Sequence, residues 1–423
     1  MNSVVLRGTD TSARDRTVSA LHSELGDDTV LTASGLTVAS GNADEVRAVV
    51  RIAGEHRVAL SWAVGARPDH SARPAVRRRP RVTVDLRRMN RVLEIDAVRR
   101  RAVVEPGARW SDVYEALGRA GDGLWVPVPD LGWDGVVGDG LLPGAGYSPG
   151  REHLRGLCGT ESVGLDGRLL RTGPGALAYG TRGIPTRLTW RLPRRPEVYT
   201  ECWAGFTGPQ ALGRVLDALR DPRLHRALDG PVIMTRGFDF DENGVGGVDP
   251  DGDGWVARFR MCGRASAVDA GYATAVDVLR RAAGVRPARR TFRGDDVPEA
   301  ARHDERLRGA VPDMDLIDPA VLPHGEGTAH VDFTPVGPVS GAAVARAVEV
   351  ARSRCARHER NSVSTVVLRP GSTHQITTVF FNPRDPRQVR SVHGCYAGLV
   401  TDLAGWGHTP YRTNLRPVPR PAR

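Results

Sequence analysis

Residues 127–177, PVPDLGWDGVVGDGLLPGAGYSPGREHLRGLCGTESVGLDGRLLRTGPGAL, limit this chain more than any other stretch. A strand-like WVPV runs into Pro129-Asp130, and Gly132, Gly135, Gly138 and Gly140 follow at short intervals. Glycine leaves the backbone bare of side chains, as a large flat or anionic ligand lying against it would require. The glycines alternate with short apolar segments in an order too regular for a linker, so the stretch reads as a ligand-lining loop over a sheet.

At 423 residues the chain exceeds one simple core, which predicts two domains. Hydrophobic residues make up 40%, as expected of a globular protein. No apolar run approaches membrane-spanning length and no charged-then-apolar leader opens the sequence, so a cytoplasmic location is expected. The net charge of +10 invites a nucleic-acid reading. All 59 basic residues are arginine, however, and they are mostly scattered, with a local run at Arg77, Arg78 and Arg79. That pattern, with abundant Ala, Gly and Pro, fits the amino-acid drift of a GC-rich genome, and no aromatic-interleaved basic face accompanies it. The five cysteines stand far apart, without metal-ligand spacing, and read as reduced thiols. An acidic run, DFDENGVGGVDPDGDGW, imitates a calcium loop. The twelfth position is Arg260 counted from Asp249 and Pro250 counted from Asp239, and neither supplies the bidentate glutamate. It reads as an acidic hairpin, and no metal site is expected.

Apolar periodicity predicts a helix over residues 43–56, with Val46, Val49, Val50 and Ala53 on one face and Ser40 or Asn42 as cap. VALSWAV, VTVDL, VLEID and RAVVEPG read as strands, the last two joined by a turn around Asp96, and WSDVYEALGRAG as a helix opened by Ser111. From about residue 196, GPQALGRVLDALRDP and ASAVDAGYATAVDVLRRAAG read as helices covering one face of an antiparallel sheet, to which WVARFRMCG contributes a strand. The fold class is α+β.

The segments DLRRMNRVLEID…AVVEPG and VPDLG…GAGYSPGREH…RTGPGAL resemble the flavin-cradling regions of the vanillyl-alcohol oxidase, eugenol oxidase and 4-cresol dehydrogenase family. The resemblance implies a PCMH-type FAD-binding domain over 1–195, an antiparallel cap (substrate) domain covered by helices over 196–408, and a short return segment with tail over 409–423. It implies FAD as cofactor, with Gly65, Pro129, Leu131, Gly132, Gly138, Tyr147, Gly183 and Ile184 against it. His330, in GEGTAHVDFTP, occupies the position where the oxidase branch bonds covalently to the flavin. Near the end, GWGHTPYRTN holds Tyr411 and Arg412, where the family binds a phenolate; a guanidinium that stays charged stabilises that anion. Asp130 corresponds to the carboxylate near flavin N5, and His374 falls where relatives place polar residues facing substrate.

The implied activity is oxidation of a para-substituted phenol or related aromatic molecule by hydride transfer to flavin N5 through a quinone-methide-like intermediate, as in a natural-product tailoring step. The implied partner is an aromatic small molecule, with neither nucleic acid nor membrane, and a homodimer is a possible assembly. Three features depart from the family. The pyrophosphate loop reads AVGARPDHSARP, keeping Gly65 but placing Pro68, which has no N–H, beside Arg67 and Arg73. His70 stands where the family has its second phenolate-binding hydroxyl. The sequence ends soon after Arg412, where the family continues back to the flavin domain. A second reading therefore stands beside the first: a redox-inactive relative using the same pocket for binding or non-redox cyclisation.

Overall fold

The computed structural model describes residues 11–26, 30–31, 36–64, 81–120, 123–126, 156–173, 183–241, 244–248, 252–293, 328–369, 371–404 and 409–410. The chain divides into two compact units, residues 1–195 with 310–314, and residues 196–309 with 315–423.

The first unit opens with α1 (Thr11–Leu25), β1 (Val30–Leu31), β2 (Leu36–Ala39), α2 (Ala43–Glu55), β3 (Ala59–Ala63) and β4 (Arg81–Asp85). These strands form a sheet in the order β1-β2-β4-β3, with β2 and β3 both parallel to β4. α2 forms because two signals coincide. Val46, Val49, Val50, Ile52 and Ala53 bury one face. At the N-cap, the Asn42 side chain accepts from Asp44 N and Glu45 N at 3.0 and 2.9 Å, while Glu45 reaches back to accept from Gly41 N at 2.7 Å. Fully burying one Val or Ile is worth about 1.5–3 kcal/mol and the cap about 1 kcal/mol, so the apolar face dominates and the cap fixes where the helix begins.

A second, antiparallel sheet follows, from β5 (Val92–Asp96), β6 (Arg101–Val104), β7 (Leu157–Gly164), β8 (Leu169–Thr172) and β9 (Gly183–Arg191), in the order β5-β6-β9-β7-β8. The β5–β6 turn is closed by Asp96, which accepts from Arg99 N at 2.8 Å, at the place its sequence suggests. Between β6 and β7 lies α3 (Trp110–Ala120), whose buried Trp110 meets Trp190 of β9 edge-on at 5.0 Å. This helix starts one residue before the expected Ser111. The reason is Asp112, whose carboxylate accepts from Arg109 N at 2.8 Å and closes the turn from within the helix.

The second unit contains β10 (Val198–Thr207), α4 (Pro209–Leu219), α5 (Pro222–His225), β11 (Val232–Arg236), β12 (Phe238–Asp241), β13 (Gly244–Val248), β14 (Gly254–Gly263), α6 (Ala265–Ala283), β15 (Ala288–Arg293), β16 (Ala329–Phe333), β17 (Pro335–Gly337), α7 (Gly341–Arg357), β18 (Ser362–Arg369), β19 (Ser372–Phe381), α8 (Pro386–Ala404) and β20 (Thr409–Pro410). The acidic run forms the antiparallel β12–β13 hairpin. The main sheet runs β15-β10-β14-β11-β18-β19-β17-β20, with β16 also paired to β19, so β16 and β17 share one edge of that strand in succession.

Alternation decides what each face of this sheet does. Val198, Cys202, Ala204 and Phe206 of β10 and Trp255, Ala257, Phe259 and Met261 of β14 pack with Leu212, Val215, Leu216, Val268, Ala275, Leu279, Val344 and Val348 of α4, α6 and α7. Val331 and Phe333 of β16 and Val379 of β19 pack with Ala347, Ala351, Cys355, Val392, Cys395 and Leu399 of α7 and α8. Both clusters lie on one side, leaving the opposite face free of these helices. No helix among the described residues is long and apolar enough to cross a membrane.

The cap interaction gives a direct test. Asn42→Ala should lower unfolding stability by about 1 kcal/mol without changing the denaturant slope. A loss below a few tenths of a kcal/mol in equilibrium urea unfolding would mean that Asn42 does not cap the helix in solution.

Candidate functional site

Register assigns side chains to the helix-free face of the large sheet. β10 pairs with β14 at Trp203↔Arg258, β14 with β11 at Arg258↔Ile233, β11 with β18 at Ile233↔Val367, β18 with β19 at Val367↔His374, and β19 with β17 at His374↔Val336. These residues form one row across the sheet. On the same face of β19 stand Ile376, Thr378 and Phe380, and β16 sets His330 opposite Phe380 and Asp332 opposite Thr378. Thr378 donates to Asp332 at 2.8 Å.

His330 and His374 therefore share a face. Within β16, Val331 and Phe333 are buried against the helices, while the His330 side chain is exposed and its ring lies 6.4 Å from that of Phe380. His374 and the register partner of His330 are six residues apart along β19, or about 20 Å at strand rise. No single small aromatic molecule touches both imidazoles.

His374 is half-buried. Burial, assisted by the Arg369 charge, pulls its pKa down to about 4. Its ring is consequently neutral near pH 7, and Nε2 lies 3.5 Å from Ser372 Oγ. Such an imidazole offers one donor and one acceptor rather than a positive charge.

A charged group that sequence reasoning did not single out occupies the same face. Glu201 stands directly opposite Arg260 in the β10–β14 register, and both are fully buried. Arg260 also reaches Asp229 at 3.2 Å. Burial opposes the Arg260 charge, but Cys262, Asp229 and Glu201 outweigh it and the pKa lies above its ordinary value. Burial pushes the Cys262 thiol up. The signal was available: WVARFRMCG alternates, and its arginines fall between the apolar positions that face the helices.

In the first unit, Gly183 and Ile184 begin β9, opposite Gly164 and Val163 of β7, and both are buried. A Cβ at Gly183 would stand 2.4 Å from the Val163 carbonyl oxygen, so close strand packing alone requires glycine there. The C-terminal ends of β2, β4 and β3 form an edge held by Ser40 N donating to Asp85 O at 3.0 Å and Leu86 N to Ala63 O at 2.9 Å. At this edge the buried Ser40 hydroxyl and Trp62 indole N–H have no hydrogen-bond partner among the described residues. A cofactor rich in oxygen and nitrogen acceptors fits such an edge, because each buried polar atom left unmatched costs about 1–3 kcal/mol. The α2 N-terminus is closed to an anion, since Asn42 and Glu45 already occupy its N–H groups.

Gly65, His70, Pro129, Asp130, Leu131, Gly132, Gly138, Tyr147, Tyr411 and Arg412 lie outside the described residues.

His374 carries a pH prediction. With its folded pKa below the unfolded value near 6.5, the native state binds fewer protons between about pH 4 and 6.5. Its contribution is complete above about pH 6.5 and is lost as pH falls toward 4. Replacing it with Gln should flatten the thermal-midpoint profile across that window, and an unchanged profile would refute the assignment.

Residues 35–173 match the family model for an FAD binding domain. The 4-cresol dehydrogenase [hydroxylating] flavoprotein subunit of Pseudomonas putida is 23% identical, covering 98% of this chain and 91% of that protein. The 1'-carboxy-chondrochloren decarboxylase of Chondromyces crocatus is 24% identical over 90% of this chain and 83% of its own. The 4-ethylphenol oxidase of Gulosibacter chungangensis, solved with isoeugenol, superposes with a TM-score of 0.81 at 22% identity, covering 97% of this chain and 91% of that one.

Proposed function

We propose that the chain is an FAD-linked enzyme of the kind it resembles, vanillyl-alcohol oxidase and 4-cresol dehydrogenase, and that it oxidises a para-substituted phenol, with a covalent bond to its cofactor through His330. The observation that carries the covalent link is the position of His330: an exposed imidazole on a strand whose neighbours Val331 and Phe333 are anchored in the helix-backed core. Support for the phenolic substrate comes from the phenol-processing relatives and from the Tyr411-Arg412 pair in the sequence.

In this reading the first unit is the FAD domain and the second the cap, with residues 409–423 returning to the site. Ser40 and Trp62 offer polar contacts to FAD, with Gly65, Pro129, Leu131, Gly132, Gly138, Tyr147, Gly183 and Ile184 beside it. Bound there, FAD supplies a two-electron acceptor for hydride.

The protein's own groups do the rest. Arg412, with Tyr411 and His70, holds the substrate oxygen as phenolate; the negative charge pushes electron density toward the para carbon, and hydride leaves the benzylic position. Asp130 assists water or an internal nucleophile in trapping the resulting quinone methide. His374, about 20 Å along the strand from the attachment position, contacts substrate only if the substrate is extended. We assign the reaction to natural-product tailoring in the cytoplasm, by a homodimer.

The similarity to a decarboxylase favours one alternative, non-redox chemistry in the same pocket. The two readings separate on one preparation. Under the oxidation reading, purified protein is yellow, its flavin stays with the acid-precipitated chain, and His330→Ala releases it. Arg412→Ala then slows anaerobic flavin reduction by a phenol about ten- to a hundred-fold, the equivalent of about 1.5–3 kcal/mol for a lost charge-assisted hydrogen bond. A wild-type protein that stays colourless with excess FAD would overturn the reading, and turnover without flavin reduction would favour the alternative.

A further inference from the structure

Cys355 of α7 and Cys395 of α8 are both fully buried, and their sulfurs lie 3.7 Å apart, with the Cys395 thiol donating to Cys355. Nothing in the proposed chemistry uses them. The helices that carry them are held at close range. Arg354 forms a two-pronged ion pair with Asp402, with contacts of 2.7 to 2.9 Å. Ser391 donates to the His358 carbonyl at 2.7 Å. Gly398 leaves room for the Arg354 side chain, which a Cβ there would meet at 2.8 Å. Contacts on both sides of the sulfurs therefore fix the approach.

We propose that Cys355 and Cys395 form a reversible, peroxide-driven disulfide that cross-links α7 to α8. A disulfide has a sulfur separation of about 2.05 Å, so the pair must close by roughly 1.7 Å, a distance within reach of side-chain rotation. The hydrogen bond from Cys395 lowers the Cys355 pKa and makes Cys355 the thiol that ionises first. Its thiolate attacks hydrogen peroxide, cleaving the O–O bond to give a sulfenic acid and, with one proton, water. Cys395 then attacks the Cys355 sulfur; the S–S bond forms and the second oxygen leaves as water with the Cys395 proton. The two sulfurs lose two electrons together and one peroxide becomes two waters.

The cross-link would act on the layer beneath the candidate site. Ala347, Ala351 and Cys355 of α7 and Val392, Cys395 and Leu399 of α8 form the surface on which Val331, Phe333 and Val379 rest. Oxidation thus ties together the support of the strand bearing His330. The inference rests on α7 and α8 alone and stands or falls separately from the flavin chemistry.

The test uses full-length protein, treated with a few equivalents of hydrogen peroxide, quenched, unfolded and alkylated. Of the five cysteines, two should become unreactive, with a mass 2 Da below that expected of the unpaired thiols, and peptide mapping should join Cys355 to Cys395. Dithiothreitol should restore all five. The thermal midpoint should rise by roughly 5–10 °C on oxidation and fall back on reduction. Cys355→Ser and Cys395→Ser should each abolish both the cross-link and the shift. Retention of five alkylatable thiols, a bond mapped to other cysteines, or accumulation of sulfinic acid at Cys355 without pairing would each overturn the proposal; none of these readouts on wild-type protein depends on the variants folding.

Discussion

The period of two along β10, β14, β16 and β19 is the constraint on which the second unit depends. Burial of one set of side chains under α4, α6, α7 and α8 leaves each strand only one register. A slip of a single residue would bring His330 or Arg260 into the helix-facing layer and lift Val331 or Phe259 out of it. Apolar packing far from any reacting group thereby decides which side chains can meet a ligand. It also explains how a strand with an exposed histidine stays fixed: burial of Val331 and Phe333 anchors β16, and the Phe380 ring lies 6.4 Å from the His330 ring.

Buried charge is the second determinant of this face. Burial alone would resist the Arg260 charge, and the neighbouring Asp229 and Glu201 favour it. Arginine suits this task, because its charge is never lost at accessible pH and its planar fork can serve two carboxylates. In a chain whose positive charges are all arginine, such pairs come with a steric demand. The guanidinium must be seated correctly or the buried acids lose their partner.

The sequence was most legible where a signal was local and repeated. The face of α2 could be read directly, as could the β5–β6 turn at Asp96 and the acidic hairpin, since each depends on residues within a few positions, while the α2 cap stayed open between Ser40 and Asn42 until the structure placed Asn42 there. At the start of α3 the expected opener was Ser111, whereas the bond that closes the first turn is Asp112 accepting from Arg109 N, and composition does not distinguish the two. Resemblance pointed to His330 and His374, but their shared face and their separation along β19 follow from strand pairing, which joins segments distant in sequence. Glu201 was missed for the same reason: its partner, Arg260, lies 59 residues further on, opposite it only once β10 and β14 pair.

The succession of β16 and β17 along one edge of β19 has a mechanical consequence. The two short strands meet the longer one on either side of Thr334, so one rigid strand supports two independently attached segments. A force or local unfolding event that peels β17 from His374 need not detach β16 and His330. The unit therefore has a natural fracture line at Thr334, across which the His374 end of the face can loosen while the His330 end stays paired.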